Sequence, residues 1–209
     1  MGARAIYVET IIDADLEAVW SATQDPVSHV RWDVRFSRIV PEPPGSGGET
    51  RFTYLRRTAL HDVRGTGVSL GERRRADGTR TSALSFATED RLSPIRSGRG
   101  YWRYVPTGDG RIRFLTGYDY TPGWGPLDVV VRPLLGWATA WSFDRLRIWL
   151  EDGAEPEEWP LVSVLQVWRK DRPRASRVLR APVGGRRRDD HLRDAPSTLA
   201  SLPAPRSGR

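Results

Sequence analysis

The order of secondary-structure signals in this chain specifies an α+β fold in which a curved antiparallel sheet wraps around one long C-terminal helix. Three observations predict it. A strand and a Trp-bearing helix come first, six strand-like segments separated by turn signals follow, and an amphipathic stretch then runs from Pro126 to Glu151. A helix of that length buries its apolar stripe most economically by lying across the apolar face of the preceding sheet. The space between helix and sheet is then a pocket.

Arg4 to Ile12 is rich in β-branched and aromatic residues and reads as a strand. Asp13-Ala14-Asp15 supplies a helix cap, with Leu16, Val19, Trp20 and Thr23 at helical spacing behind it, and Asp25-Pro26 stops that helix. A short helical turn over Pro26 to Val30 then delivers Trp32. The period next changes from 3.6 to 2, giving strands at Phe36 to Val40, Thr50 to Leu60, Val63 to Arg75, Thr79 to Asp90, Gly98 to Pro106 and Arg111 to Thr121. Asp77-Gly78, between two of these, predicts a tight hairpin. Gly65 to Gly71 looks superficially like a nucleotide loop, but its third glycine is one residue late and no helix follows, so it reads as strand with glycine bulges.

Alternation shows which sheet face is buried. In Arg111 to Tyr120 the even positions are Ile112, Phe114, Thr116, Tyr118 and Tyr120, and they point at the core. By the same test Phe52, Tyr54, Leu84, Phe86, Trp102 and Tyr104 face inward, which makes the concave surface aromatic with a few hydroxyls. At 100° per residue, Leu127, Val130, Val131, Leu134, Trp137, Ala138, Trp141, Ile148 and Trp149 share one broad face of the long helix. Pro133 is expected to kink it, and Arg132, Asp144, Arg145 and Arg147 exclude a transmembrane span. Arg145 falls in phase with the apolar stripe, where a guanidinium needs either a carboxylate such as Asp119 or Asp144, or an acidic ligand group.

The opening strand Ile6 to Ile12, the segment Ala14 to Trp20 with Asp25-Pro26 and Trp32, and the closing run from Gly110 through Tyr118-Asp119-Tyr120 into Arg132-Pro133-Leu134 carry a resemblance. Over about residues 4 to 151 the chain resembles the SRPBCC superfamily, the helix-grip fold of START-like lipid-binding domains, plant-allergen-type ligand carriers and polyketide cyclases or dehydratases. The resemblance implies a helix-grip domain over residues 1–152 that takes a small hydrophobic or aromatic ligand, lipid-like or polyketide-like, between helix and sheet. Trp32, Tyr54, Trp102, Tyr104, Phe114, Thr116, Tyr118, Tyr120, Trp141 and Arg145 are the residues expected to meet it.

Residues 153–172 hold a weaker helix, Glu157 to Lys170, whose Trp159, Val162, Leu165 and Trp168 need a partner surface. That surface is the domain itself, a second copy in a homodimer, or a membrane interface, and self-packing is favoured. Residues 173–209 form a basic tail rich in Pro, Arg, Gly and Ser that reads as disordered. The net charge of +7 is local: 12 of the 33 basic residues but only 4 of the 26 acidic ones lie in 169–209, so the rest of the chain is near neutral. Arg186-Arg187-Arg188 could meet nucleic acid or anionic lipid, but no aromatic residue after Trp168 can stack on bases, so the sequence argues against nucleic acid.

Cysteine is absent, which excludes disulfides, thiolate catalysis and Cys-based metal sites. No signal-peptide pattern is visible, so a cytoplasmic location is expected. His29, His61 and His191 match no metal motif, no nucleophile elbow or Walker sequence occurs, and no metal or cofactor is expected. Two function classes stay open. One is a carrier or sensor of a hydrophobic ligand, which the residues favour. The other is a cyclase or dehydratase in which Tyr and Arg stabilise an enolate while His29, Asp33 or Asp119 serves as base.

Overall fold

In the computed structural model, which describes residues 5–43, 50–58 and 61–181, β1 (Ile6–Ile12) opens the fold as an almost fully buried strand. Asp15 caps α1 (Leu16–Gln24), its carboxylate accepting from the Ala18 N–H at 2.7 Å. Asp25 ends that helix and caps α2 (Pro26–Trp32), accepting from the Ser28 N–H at 2.8 Å, while Pro26 occupies the first turn, where its missing N–H costs nothing.

Six strands follow: β2 (Arg38–Pro41), β3 (Arg51–Arg57), β4 (Asp62–Arg74), β5 (Arg80–Ala87), β6 (Ile95–Pro106) and β7 (Ile112–Pro122). Every neighbour is antiparallel, in the order β1-β7-β6-β5-β4-β3-β2, so the first and last strands of the chain's sheet pair with each other. Asp77-Gly78 makes the expected hairpin between β4 and β5, with Gly78 at φ +81°. The glycine-rich stretch is strand, with a bulge between Ser69 and Gly71 where Gly71 takes φ +104°. Gly67 lies beneath the Phe52 ring, and a Cβ there would fall 2.1 Å from it, so glycine is what lets the ring lie flat on the sheet.

The even residues of β7, Ile112 to Tyr120, are all buried, and all but Thr116 join the main core with Ile6, Val8, Trp102 and Tyr104. The opposite face also carries a small cluster of its own, Tyr7, Ala83, Tyr101 and Leu115, with Arg103 lying over the Tyr101 ring. The long helix α3 (Asp128–Asp152) ends at Gly153, which takes the left-handed conformation.

The N-terminal part of the stripe predicted for α3 faces outward. Leu127, Val130 and Leu134 are exposed, at 59%, 56% and 58%. Thr139 and Phe143 are the residues that meet the sheet: Thr139 bonds to Tyr118, and Phe143 stacks on Phe114 at 4.5 Å. Trp141, on the predicted stripe, is buried beneath Arg145, whose guanidinium lies 5.5 Å from its ring. Apolar residues surround this helix because its C-terminal half is covered on several sides, so period alone does not select the sheet-facing line.

The predicted helix Glu157 to Lys170 does not form. In its place are two 3₁₀ turns, Pro156–Glu158 and Leu161–Leu165, separated by Pro160, which lacks the N–H a continuous helix would need. Trp159 is buried, whereas Val162, Leu165, Val167 and Trp168 are exposed. Disorder from residue 173 onward is also corrected, since Ala175 and Val178 belong to the main core and Leu179 exchanges two 2.9 Å backbone bonds with Glu9 on β1. The buried Asp144 anchors this strap, accepting from the Arg174 N–H at 2.7 Å and from Arg177 at 3.3 Å. Arg186-Arg187-Arg188 and the rest of 182–209 lie outside the described residues.

Candidate functional site

A cavity of about 600 Å³ lies between the concave sheet face, the end of α2 and the first half of α3. Alternation builds its floor from Phe52, Tyr54, Leu84, Phe86, Trp102 and Tyr118, while Leu135, Trp137 and Ala138 of α3 roof it. Leu161, from the turn that replaced the predicted helix, reaches its edge.

Four of the residues expected from sequence line this space: Tyr54, Trp102, Thr116 and Tyr118. Thr116 spends its hydroxyl on the Tyr101 carbonyl at 2.9 Å. Tyr118 donates to Thr139 Oγ1 at 2.9 Å, because Thr139 itself donates to the Leu135 carbonyl at 2.8 Å. Tyr54 differs, since its hydroxyl makes no hydrogen bond among the described residues and burial pushes its pKa up to about 12. It enters the cavity as a neutral donor and acceptor.

The other six residues do not line the cavity. Trp32 is fully buried and donates to the Ala22 carbonyl at 2.9 Å. Tyr104 donates to Thr23 Oγ1 and accepts from Gln24, both at 2.7 Å, which ties α1 to β6. Phe114 and Trp141 are core. Tyr120 donates to Asp128 at 2.6 Å under the Arg132 guanidinium and so fixes the start of α3. Arg145 meets neither the cavity nor a carboxylate: it donates to the Pro156 carbonyl at 2.8 Å and to the Trp32 carbonyl at 3.4 Å, and burial pushes its pKa down to about 10. Its partners are backbone oxygens because the segment after α3 folds back over it.

At the polar end of the cavity His29, which the sequence offered as a base, gathers with Arg35 and Arg56, which sequence reasoning missed. Arg35 holds the fully buried Asp33 through two nitrogens, Nε to Oδ1 at 2.9 Å and Nη2 to Oδ2 at 2.6 Å. Burial works to raise the Asp33 pKa, but the Arg35 charge and the bonds from His29 and Arg35 overcome it and hold the carboxyl well below the usual range. The His29 ring stacks on Trp32 at 5.0 Å, with Nδ1 3.0 Å from the Thr23 carbonyl and Nε2 3.2 Å from Asp33. Both ring nitrogens therefore face protein oxygens, and neither presents a lone pair to the cavity. Asp119, the remaining candidate base, pairs with Arg132 at 3.0 Å and is not on the cavity wall.

The architecture matches solved structures of low sequence identity. Human StAR-related lipid transfer protein 5 superposes with a TM-score of 0.54 at 15% identity, over 69% of this chain and 74% of that one. The Zhui aromatase/cyclase from Streptomyces sp. R1128 gives 0.51 at 12%, over 73% and 98%. The chain has the START-like helix-grip fold. Ara h 8.0201 shares it, with a TM-score of 0.53 at 12% identity over 71% and 98%. No family model matches the chain. A curated relative, the uncharacterized membrane protein YndG of Bacillus subtilis (strain 168), is 38% identical over 174 residues. The match covers 80% of this chain and 65% of that relative's length. That description overturns the expectation of a cytoplasmic protein, although among the described residues no helix is long and apolar enough to cross a membrane.

Proposed function

We propose that this chain binds a small, largely apolar molecule, lipid-like or polyketide-like, in the cavity between α3 and the sheet. The observation that carries the reading is the cavity itself, about 600 Å³ and walled mainly by aromatic and aliphatic side chains with a few polar groups at one end. That is the size and lining of small-molecule sites generally. The helix-grip relatives include a protein described as a lipid transfer protein and one described as an aromatase/cyclase, which fits the same class of ligand. Binding is favoured over cyclase chemistry because the three candidate bases, His29, Asp33 and Asp119, are each engaged by protein partners.

Native mass spectrometry of the full chain purified from its own host tests this reading. A mass increase of a few hundred daltons that disappears on denaturation supports it. A chain that carries nothing, and that also leaves an apolar fluorescent dye and dodecanoic acid unbound, contradicts it.

A further inference from the structure

The cavity is not uniformly apolar, and its charge is concentrated where α2 hands over to β2. Arg35 lines this end with two of its nitrogens turned to Asp33 and its guanidinium also hydrogen-bonded to Tyr118 on the cavity wall. Across from it, Ser37 donates its N–H to the Leu55 carbonyl at 2.7 Å and accepts from the Arg57 N–H at 3.0 Å, which continues the pairing of β2 with β3. That register sets Arg56 opposite Ser37, two residues along from Arg35. Arg56 lies on the same face of β3 as Phe52 and Tyr54, is half-buried, lines the cavity, and its guanidinium has no ion pair among the described residues. Tyr54, with its unbonded hydroxyl, is its neighbour two positions along that face and packs edge-on against Phe36 at 5.8 Å.

A guanidinium in a largely apolar pocket is costly unless something anionic meets it. Asp33 answers Arg35 from behind, but nothing among the described residues answers Arg56. At this end of the cavity the formal charges of Arg35, Asp33 and Arg56 sum to one positive charge. One net positive charge suits a monoanion such as a carboxylate better than a phosphate monoester, which carries nearly two charges at neutral pH.

We infer that the ligand is an amphipathic carboxylic acid whose carboxylate sits between Arg35 and Arg56, with the Tyr54 hydroxyl as a further donor and the apolar body lying beneath α3. This rests on the reading of the cavity as a ligand site and names the ligand's chemical class.

The test is a competition for the cavity of the full chain, read by tryptophan fluorescence, between dodecanoic acid, methyl dodecanoate and dodecyl phosphate at neutral pH. The acid should bind about tenfold or more tightly than its ester, the usual worth of a charge-assisted hydrogen bond. Arg56→Met should bring the acid down to the level of the ester and leave the ester within about twofold, since Arg56 pairs with no other side chain among the described residues. Arg35→Met should act in the same direction; because that change also strips Asp33 of its partner, Arg56→Met is the deciding variant. Equal binding of acid and ester to the unaltered protein, or equal loss of both in Arg56→Met, would overturn the carboxylate subsite while leaving the apolar site standing. Tighter binding of dodecyl phosphate than of the acid would also overturn it. If none of the three binds, the ligand-site reading falls and takes this inference with it.

Discussion

Asp33 and Arg35, two residues apart where α2 ends, form a two-nitrogen ion pair in which the carboxylate is fully buried and the guanidinium side chain is 17% exposed. The pair joins fold to cavity, since Asp33 also receives His29 from inside α2 while Arg35 lines the cavity.

Removing one partner should therefore hurt more than removing both. Arg35→Met leaves an uncompensated buried carboxylate and should cost about 3 to 5 kcal/mol in urea denaturation at neutral pH. The double change Arg35→Met with Asp33→Asn should recover a good part of that loss. A single change costing under about 1 kcal/mol would mean that Asp33 is not held by this pair.

The same pair sets an acid limit. The folded-state pKa of Asp33 lies below its ordinary value of 3.8, so the stabilisation is fully present above that value and is lost as pH falls through the lower, folded value. The stability gap between the unaltered protein and Asp33→Asn should be constant from pH 7 to about pH 5 and should shrink below pH 4. A gap that stays constant down to pH 2, followed by thermal melts, would contradict the shift.

The face of α3 is tested by two substitutions in one helix. Phe143→Ala removes the ring stacked on Phe114 and should cost about 3 to 5 kcal/mol, whereas Leu134→Ala, on the exposed face, should fall within about 0.5 kcal/mol. The reverse ranking in chemical denaturation would restore the stripe expected from helical period.

The sheet was legible because strand period is strict. Alternation put Phe114, Thr116 and Tyr118 on one face, and each is buried there. The line of α3 that meets the sheet was not legible, because Trp141 and Trp149 pull the apparent stripe toward a face that other elements cover. A charge in phase with apolar neighbours needs an answering group, and at Arg145 the fold itself supplies it. Arg145 answers backbone carbonyls of a segment distant in sequence, which no local pattern reveals. Arg56 stands two residues from Tyr54 on the inward face of β3, and that alternation was readable all along. The cover given by 173–181 was illegible for a related reason, since a basic, proline-rich composition hides two small apolar residues, Ala175 and Val178, that matter only once α3 and β1 are in place.

That cover yields its own prediction. Val178→Asp places a carboxylate at a site 5% exposed and should cost about 3 kcal/mol, while Val167→Asp, at a position 67% exposed, should change stability by less than about 0.5 kcal/mol. Equal thermal midpoints for the two variants would show that the strap does not contribute to the core.

The most direct test of the central claim is to fill the cavity and ask whether binding goes with it. Ala138 lines the roof on α3, and Ala138→Trp introduces an indole into the cavity's volume of about 600 Å³. Titration of an apolar dye into the full chain, with the thermal midpoint measured alongside, gives both readouts. The account predicts that Ala138→Trp lowers dye affinity by about tenfold or more while the midpoint stays the same or rises, because the ring occupies empty space rather than packed core. Unchanged dye affinity in a variant that is folded and stable would contradict it, since the dye would then be bound somewhere else.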